Sequence, residues 1–172
     1  MMQEMENLAQ MMSSLGERTQ LYLECETGIA VTAIAETDNA PAALALDHMT
    51  AVVGIGGDTG MLAAFSFSPQ LAEALFLRLV EALGLPAEEA EDFRAAGLSE
   101  MANVIAGNWI AEFSPPGTRT CLTPPVLVEG ARHIHRAPQA IFRTLSIATE
   151  AGSLSIHLVG PKNMFDLYLN AA

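Results

Sequence analysis

Apolar residues at helical spacing dominate the stretch from Phe93 to Pro125. They recur at the i, i+3, i+4 and i+7 positions, which share one side of a helix that turns about 100° per residue. The positions are Leu98, Met101, Ala102, Ile105, Ala106, Trp109, Ile110 and Phe113. This pattern predicts a long amphipathic helix whose apolar side is buried in the core.

Four residues fall together on the opposite side of this helix, within an arc of about 60°. They are Ala96, Glu100, Asn103 and Gly107. Asparagine is a poor helix former, and glycine costs about 1 kcal/mol relative to alanine. We therefore expect Glu100 and Asn103 to project side by side, with Gly107 leaving space for another surface to approach. A solvated helix face without a function is the alternative.

The spacing of three of these residues resembles a known signature. Glu100-x2-Asn103, followed after twenty-one residues by Pro125, resembles the pattern Asp/Ser-x3-Glu-x2-Asn-x21-Pro of the CheC/CheX/FliY chemotaxis phosphatases. Three segments, VVGIGGDTGMLAAFSFSP, NVIAGNW and LTPPVLVEG, are also similar to CheX sequences. The resemblance spans most of the chain and includes one motif, whereas CheC has two.

The resemblance implies a phosphatase that acts on the aspartyl phosphate of a CheY-type response regulator. By this resemblance, Asn103 orients the attacking water and Glu100 engages the conserved lysine of the receiver domain. Pro125 would have a structural role near the site. The receiver itself holds the Mg²⁺, so we expect no cofactor on this chain.

Ala96 stands where the family has Asp or Ser, and it faces the same way as Glu100. Its side chain cannot make a polar contact there. This departure favours an alternative function, a non-catalytic module that binds a receiver or a signalling partner through the same helix face. A structural protein of the flagellar switch is a third hypothesis.

Composition limits the class of protein and its partners. With 172 residues, 51% hydrophobic and 16% charged, the chain is expected to form one folded domain over residues 1–172. Its net charge of −12 disfavours nucleic acids and anionic membranes as partners. No apolar run reaches the ~18 residues of a membrane span, and the N-terminal acids argue against a secretory signal. We expect a cytoplasmic protein.

Cysteine and histidine do not form a metal-ligand pattern. Cys25 and Cys121 lie among apolar neighbours, and we predict that both are buried, reduced thiols. His133 and His135 would share a face if that segment were extended, but the sequence indicates no third ligand.

The order helix, strand, hairpin occurs twice, at residues 3–67 and 92–159, with a helix after Ser68 between the two units. This order suggests an internal duplication. It predicts an α+β fold in which two three-stranded units join in one mainly antiparallel sheet, with the long helices packed on one side. Exposed strand edges would allow a homodimer, which the family resemblance also implies.

Local signals define individual elements of the two units. Strands are predicted at residues 29–35, 49–55, 61–67, 121–128, 139–149 and 154–159. Ser68 followed by proline predicts a helix N-cap, and Gly84 predicts its C-terminal end. The glycines in GIGGDTG are predicted to serve a tight turn, because neither the spacing nor the residues fit a nucleotide-binding loop.

The first helix contains a second Glu-x2-Asn pair, Glu4 and Asn7. Ile29 occupies the position where the signature would need proline. We therefore interpret this pair as part of a solvated helix face. The sequence leaves open a break of the same helix between Ser13 and Gly16.

Overall fold

The predicted helices and strands follow one another in the predicted order, and the structure adds a short ladder of residues 43–45 and 133–135 that was not predicted. The computed structural model describes residues 2–37, 43–57, 60–84, 86–113, 119–135 and 140–161. Its helices are α1 (Met2–Tyr22), α2 (Pro69–Leu83), α3 (Ala87–Ala90) and α4 (Arg94–Phe113). A π-helical turn, Leu23–Thr27, extends α1, and a 3₁₀ turn, Glu91–Phe93, leads into α4.

Nine strands are described. They are β1 (Val31–Thr37), β2 (Ala43–Ala45), β3 (Met49–Gly57), β4 (Met61–Phe67), β5 (Thr120–Leu122), β6 (Val126–Glu129), β7 (His133–His135), β8 (Ala140–Thr149) and β9 (Gly152–Pro161). The two predicted hairpins are confirmed as β3–β4 and β8–β9. The predicted strand at residues 121–128 is divided into β5 and β6, with a gap at its two prolines.

The main sheet has seven antiparallel strands in the order β1-β8-β9-β4-β3-β5, and β6 also pairs with β3. The predicted α+β fold with an antiparallel sheet is therefore confirmed. The duplicated units interlock instead of lying side by side, because the first strand of each unit pairs with the hairpin of the other unit. Thus β1 pairs with β8, while β5 and β6 pair with β3.

Helices cover one face of this sheet. Alternate residues of β4, from Met61 to Phe67, face the helices and join one core cluster with α1, α2 and α4. The short ladder of β2 and β7 lies over part of the opposite face, where Leu44 is buried. The backbone N–H of Asp47, just after β2, donates to Ser66 Oγ on that face at 2.7 Å.

The ends of α2 confirm the predicted caps. Ser68 Oγ accepts from the backbone N–H of Leu71 at 3.3 Å and from that of Ser153 at 2.9 Å, so the cap also joins α2 to the β8–β9 hairpin. Gly84 ends the helix with φ of 64°. The first helix, by contrast, continues without a break through Ser13 and Gly16. A Cβ on Gly16 would lie 3.3 Å from Ile34, so close packing on β1 supports the helix there.

The glycines near the β3–β4 turn differ from the prediction. Gly57 has φ of 97° at the end of β3, as a turn requires, but Gly54 and Gly56 lie within the strand. A Cβ on Gly54 would come within 2.8 Å of Thr123 Oγ1. The glycine is needed there for close approach of the neighbouring chain segment. Residues 58 and 59 of the predicted turn lie outside the described part of the chain.

The prediction that both cysteines are buried is wrong. Cys25 and Cys121 are exposed. Cys25 belongs to the π-helical turn, in which Leu23 takes the buried position. Cys121 pairs with Gly56 in an edge strand and projects beside it, on the side of the sheet away from the helices. An apolar sequence neighbourhood therefore did not indicate burial.

The spacing of the β7 histidines and the apolarity of the helices bear on metal binding and membrane insertion. The rings of His133 and His135 lie 6.3 Å apart on β7, and the described residues include no cluster of three His, Cys, Asp or Glu side chains suited to a metal ion. None of the helices in the described ranges combines the length and apolarity that a membrane crossing requires.

His157 is a buried histidine on the face of the sheet that carries the β2–β7 ladder. Its side chain is 4% exposed, and its Nδ1 lies 3.0 Å from Thr144 Oγ1 on the neighbouring strand. Burial lowers the pKa of the imidazole from its ordinary value of 6.5 to about 4, although the Ala45 carbonyl opposes this effect. His157 is therefore neutral in the folded protein near pH 7.

This pKa shift predicts acid sensitivity of the fold. Between pH 6.5 and 4 the unfolded chain binds a proton at residue 157 that the folded chain does not bind, so stability falls as the pH falls. The contribution is at most about 1.4 kcal/mol per pH unit. We expect His157→Gln to reduce the slope of unfolding free energy, measured in urea, against pH. Equal slopes in the wild type and in His157→Gln would contradict this assignment.

Candidate functional site

Helix α4 is held in one rotational position by its buried face. All the predicted apolar positions from Leu98 to Ile110 are buried, and the side chain of Phe113 lies outside the described part. Trp109 is fully buried, and its indole N–H donates to the backbone carbonyl of Met11 in α1 at 3.1 Å. With this face fixed against the core, the opposite face of α4 must point outward.

The structure places the four predicted residues together on that outward face. Ala96 and Glu100 are exposed, while Asn103 and Gly107 are half-buried. Within the described ranges, neither Glu100 nor Asn103 has a hydrogen-bond or ion-pair partner. A carboxylate and an amide without partners at a surface are available to a second molecule.

Glu100 lies close to the C-terminal end of α1. The pKa of the Tyr22 phenol is raised, first by burial and then by the negative charges of Glu26 and Glu100. Tyr22 is half-buried between the two helices. The outward face of α4 is therefore continuous with the end of α1, which the sequence analysis did not indicate.

On the other side of α4 lies the edge formed by β5 and β6, which contacts the helix. Pro125 stands in the gap between these strands. Before the gap, Thr123 replaces part of the ladder: its backbone N–H donates to the Gly54 carbonyl at 2.8 Å, and its Oγ1 accepts from the Gly54 N–H at 2.9 Å. The two prolines therefore occupy an edge, where the missing donor is tolerated.

Gly107 faces this edge without a close contact. A Cβ at Gly107 would meet only Leu122 Cδ1, at 3.7 Å, which is an ordinary van der Waals distance. At Gly97, on the same helix, a Cβ would come within 3.0 Å of Leu79 Cδ2 in α2. Packing within the chain therefore explains why residue 97 is glycine, but it does not explain why residue 107 is glycine.

The arginines near this face are already paired. Arg94 donates to Glu91 and Glu73 at 2.8 Å each, and its guanidinium lies 3.8 Å from the centre of the Phe76 ring. Arg18 in α1 donates to Glu112 in α4 at 2.9 Å. In both clusters the arginine lowers the pKa of its acidic partner, Glu91 or Glu112.

These pairings decide the charge of the site. The charges of Arg94 and Arg18 are balanced by their own carboxylates, whereas Glu100 and Glu26 have no cationic partner among the residues that the structure describes. The face is therefore acidic and suits a partner that presents lysine or arginine.

The second Glu-x2-Asn pair lies far from this arrangement along the chain, in the first turns of α1. The side chains of Glu4 and Asn7 lie outside the described part of the structure, and their interpretation as a solvated face stays a prediction.

Comparison with known proteins gives a family match and a set of structural neighbours. A family model described as "Chemotaxis phosphatase CheX" matches residues 49–144, more than half of the chain, and this span contains all five predicted site residues. No curated protein matches the sequence.

Among solved structures, the chain is similar to the chemotaxis protein CheX from Desulfovibrio desulfuricans, with a TM-score of 0.68 and 18% identity over 87% of this chain and 97% of that one. It is similar to the Borrelia burgdorferi CheX-CheY-BeF3-Mg+2 complex, with a TM-score of 0.64 and 14% identity over 86% of this chain and 95% of that one. The FliM middle domain from H. pylori gives a TM-score of 0.59 and 11% identity over 97% and 98%. At these identities the likeness shows a shared fold.

The two glycines of α4 make a matched test of the packing argument. Gly107→Ala should raise the free energy of unfolding by up to about 1 kcal/mol, because alanine favours the helix and the added methyl has room. Gly97→Ala should gain less or lose stability, because Leu79 would have to shift. Both changes in the free energy of unfolding are to be measured by urea unfolding. A larger loss at residue 107 than at residue 97 would show that the fold itself requires Gly107.

Proposed function

Because the chain belongs to the CheX family of chemotaxis phosphatases, we propose that it hydrolyses the aspartyl phosphate of a CheY-type receiver domain. One observation carries the proposal: on the outward face of a helix whose other face is fixed in the core, Glu100 and Asn103 have no partner among the described residues. The Borrelia burgdorferi neighbour, a CheX-CheY complex, supports a CheY-type partner for this fold.

Asn103 would act by positioning water. Its amide donates and accepts hydrogen bonds but does not take up a proton at ordinary pH. Held against the phosphoryl group, it would orient one water in line with the bond to be broken, and such positioning supplies much of the catalysis in phosphoryl transfer. The water oxygen bonds to phosphorus as the bond to the aspartate oxygen breaks. Aspartate leaves as carboxylate, and both protons of the water end on the inorganic phosphate, released as H2PO4−.

Glu100 would hold the receiver in register. An exposed carboxylate one turn before Asn103 is suited to pairing with a lysine on the receiver. Mg²⁺ bound by the receiver would neutralise charge on the phosphoryl oxygens, and this chain supplies no ligand to it in the proposal.

Gly107 and Pro125 would act through shape. Gly107 adds no bulk beside Asn103, so the receiver surface can come close to the amide. Pro125 would support the edge strand that flanks α4 on the Leu122 side. Neither residue would touch the reacting atoms.

Ala96 supports a second candidate function, a receiver-binding module without catalysis. Its exposed methyl group lies where the family signature has Asp or Ser, one turn before Glu100. The fold does not decide between the two functions, because one fold can support different functions. Glu100 and Asn103 favour catalysis.

The side chain of Asn103 separates the two functions. We expect Asn103→Ala to lower the rate constant for dephosphorylation of a CheY-type receiver by at least about a hundredfold, because the water loses its orienting group. Affinity for the receiver should change little. The rate is measured as loss of label from the phosphorylated receiver, with Mg²⁺, and Asn7→Ala serves as the matched control with full activity.

Acceleration by the wild type that disappears in Asn103→Ala supports hydrolysis at this residue despite Ala96. If the wild type binds the phosphorylated receiver but leaves its phosphate lifetime unchanged, the binding-module function is correct and the phosphatase proposal is wrong.

We also propose that the protein forms a homodimer through a sheet edge. In the described part of the chain β1 forms one of the two edges of the main sheet, and its residues after Val31 are exposed, so a second copy could pair with this edge. Sedimentation equilibrium should then give about twice the 18.2 kDa mass of the chain. A monomer mass at micromolar concentration would contradict the proposal.

A further inference from the structure

A groove of about 550 Å³ lies between the C-terminal end of α1 and the middle of α4. We refer to it as the α1–α4 groove. The residues that matter for its chemistry are Leu21, Tyr22 and Glu26 from α1 and its π-helical turn, and Val104 and Asn108 from α4. The signature of the family does not include any of these positions.

The groove begins where the candidate site ends. Val104 follows Asn103 directly, and Tyr22 is close enough to Glu100 for its pKa to respond to that charge. A protein domain that docks stably covers about 800 Å² of its partner's surface. A footprint of this size centred on Asn103 is large enough to extend over the groove.

The lining combines apolar and acidic groups. Leu21 is 53% exposed, and Val104 is half-buried beside the groove. Glu26 is exposed and has no cationic partner among the described residues. The one arginine of the lining, Arg18, is paired with Glu112. The groove thus offers an apolar surface with an uncompensated negative charge.

We propose that the receiver domain makes a second contact in the α1–α4 groove, where an apolar side chain packs on Leu21 and Val104 while an adjacent lysine or arginine meets Glu26. This inference rests on the proposed function, because it takes the receiver as occupant. The groove residues do not touch the reacting atoms. They provide affinity and orientation, so that α1 determines which receivers are accepted while α4 carries the chemistry.

Kinetics of surface variants test this division. Leu21→Ser and Glu26→Lys should each raise KM for the phosphorylated receiver about tenfold and leave kcat within twofold, since they remove binding without altering the water site. The controls are Leu77→Ser, at a helical leucine 54% exposed on α2, and Glu81→Lys, also on α2. Both controls should match the wild type.

Cys25 provides an independent readout in the unmodified protein. Its thiol is exposed in the groove. Alkylation of Cys25, followed by mass spectrometry of its peptide, should slow at least fivefold when a BeF3-activated receiver with Mg²⁺ is bound at saturation. An unchanged alkylation rate with the receiver bound would overturn the groove contact.

The outcomes separate the two proposals. If Asn103→Ala is inactive while Leu21→Ser and Glu26→Lys match their controls, the groove proposal is wrong and the phosphatase function stands. If the receiver binds but is not dephosphorylated, the function is wrong, and the groove is then judged by dissociation constants of the same variants and by Cys25 protection. A receiver panel that does not bind at all overturns both.

Discussion

The hydrogen bond from the Trp109 indole to the Met11 carbonyl joins α4 to α1 inside the core. The ring is fully buried in the core cluster, where its large apolar area and its satisfied N–H both stabilise one helix rotation. A rotation of α4 by one residue would bury the carboxylate of Glu100 and expose apolar surface. The outward position of Glu100 and Asn103 is thus a consequence of core packing.

The interlocked sheet makes the strands of each half of the chain depend on the other half. Because β1 pairs with β8 while β5 and β6 pair with β3, neither half has its full set of strands without the other. The arrangement also places β5 and β6 beside α4. Pro125 therefore stands in an edge that packs beside the helix of Asn103, although twenty-one residues separate the two.

Charge at the site follows from which ions pair inside the molecule. The net charge of −12 is a property of the whole surface, but the acidity of the α4 face arises because Arg18 and Arg94 are committed to Glu112, Glu91 and Glu73. Exposed pairs of this kind contribute little stability. Among the described residues, their larger effect is to leave the charges of Glu100 and Glu26 unbalanced, which suits a basic partner.

The sequence alone determined the elements and the signature, because both depend on local interactions. The 3.6-residue period of α4, the Ser68 cap and the hairpins act within a few residues, and the spacing of Glu100, Asn103 and Pro125 carried the family resemblance. Tertiary structure decided the interlocked pairing, the exposure of Cys25 and Cys121, and the close approach of Thr123 to Gly54. It also decided that Leu21 and Tyr22 border the Glu100 surface. Most of these features join segments about seventy or more residues apart. The exposure of the cysteines depends on which segments cover them. Local periodicity contains no information about either.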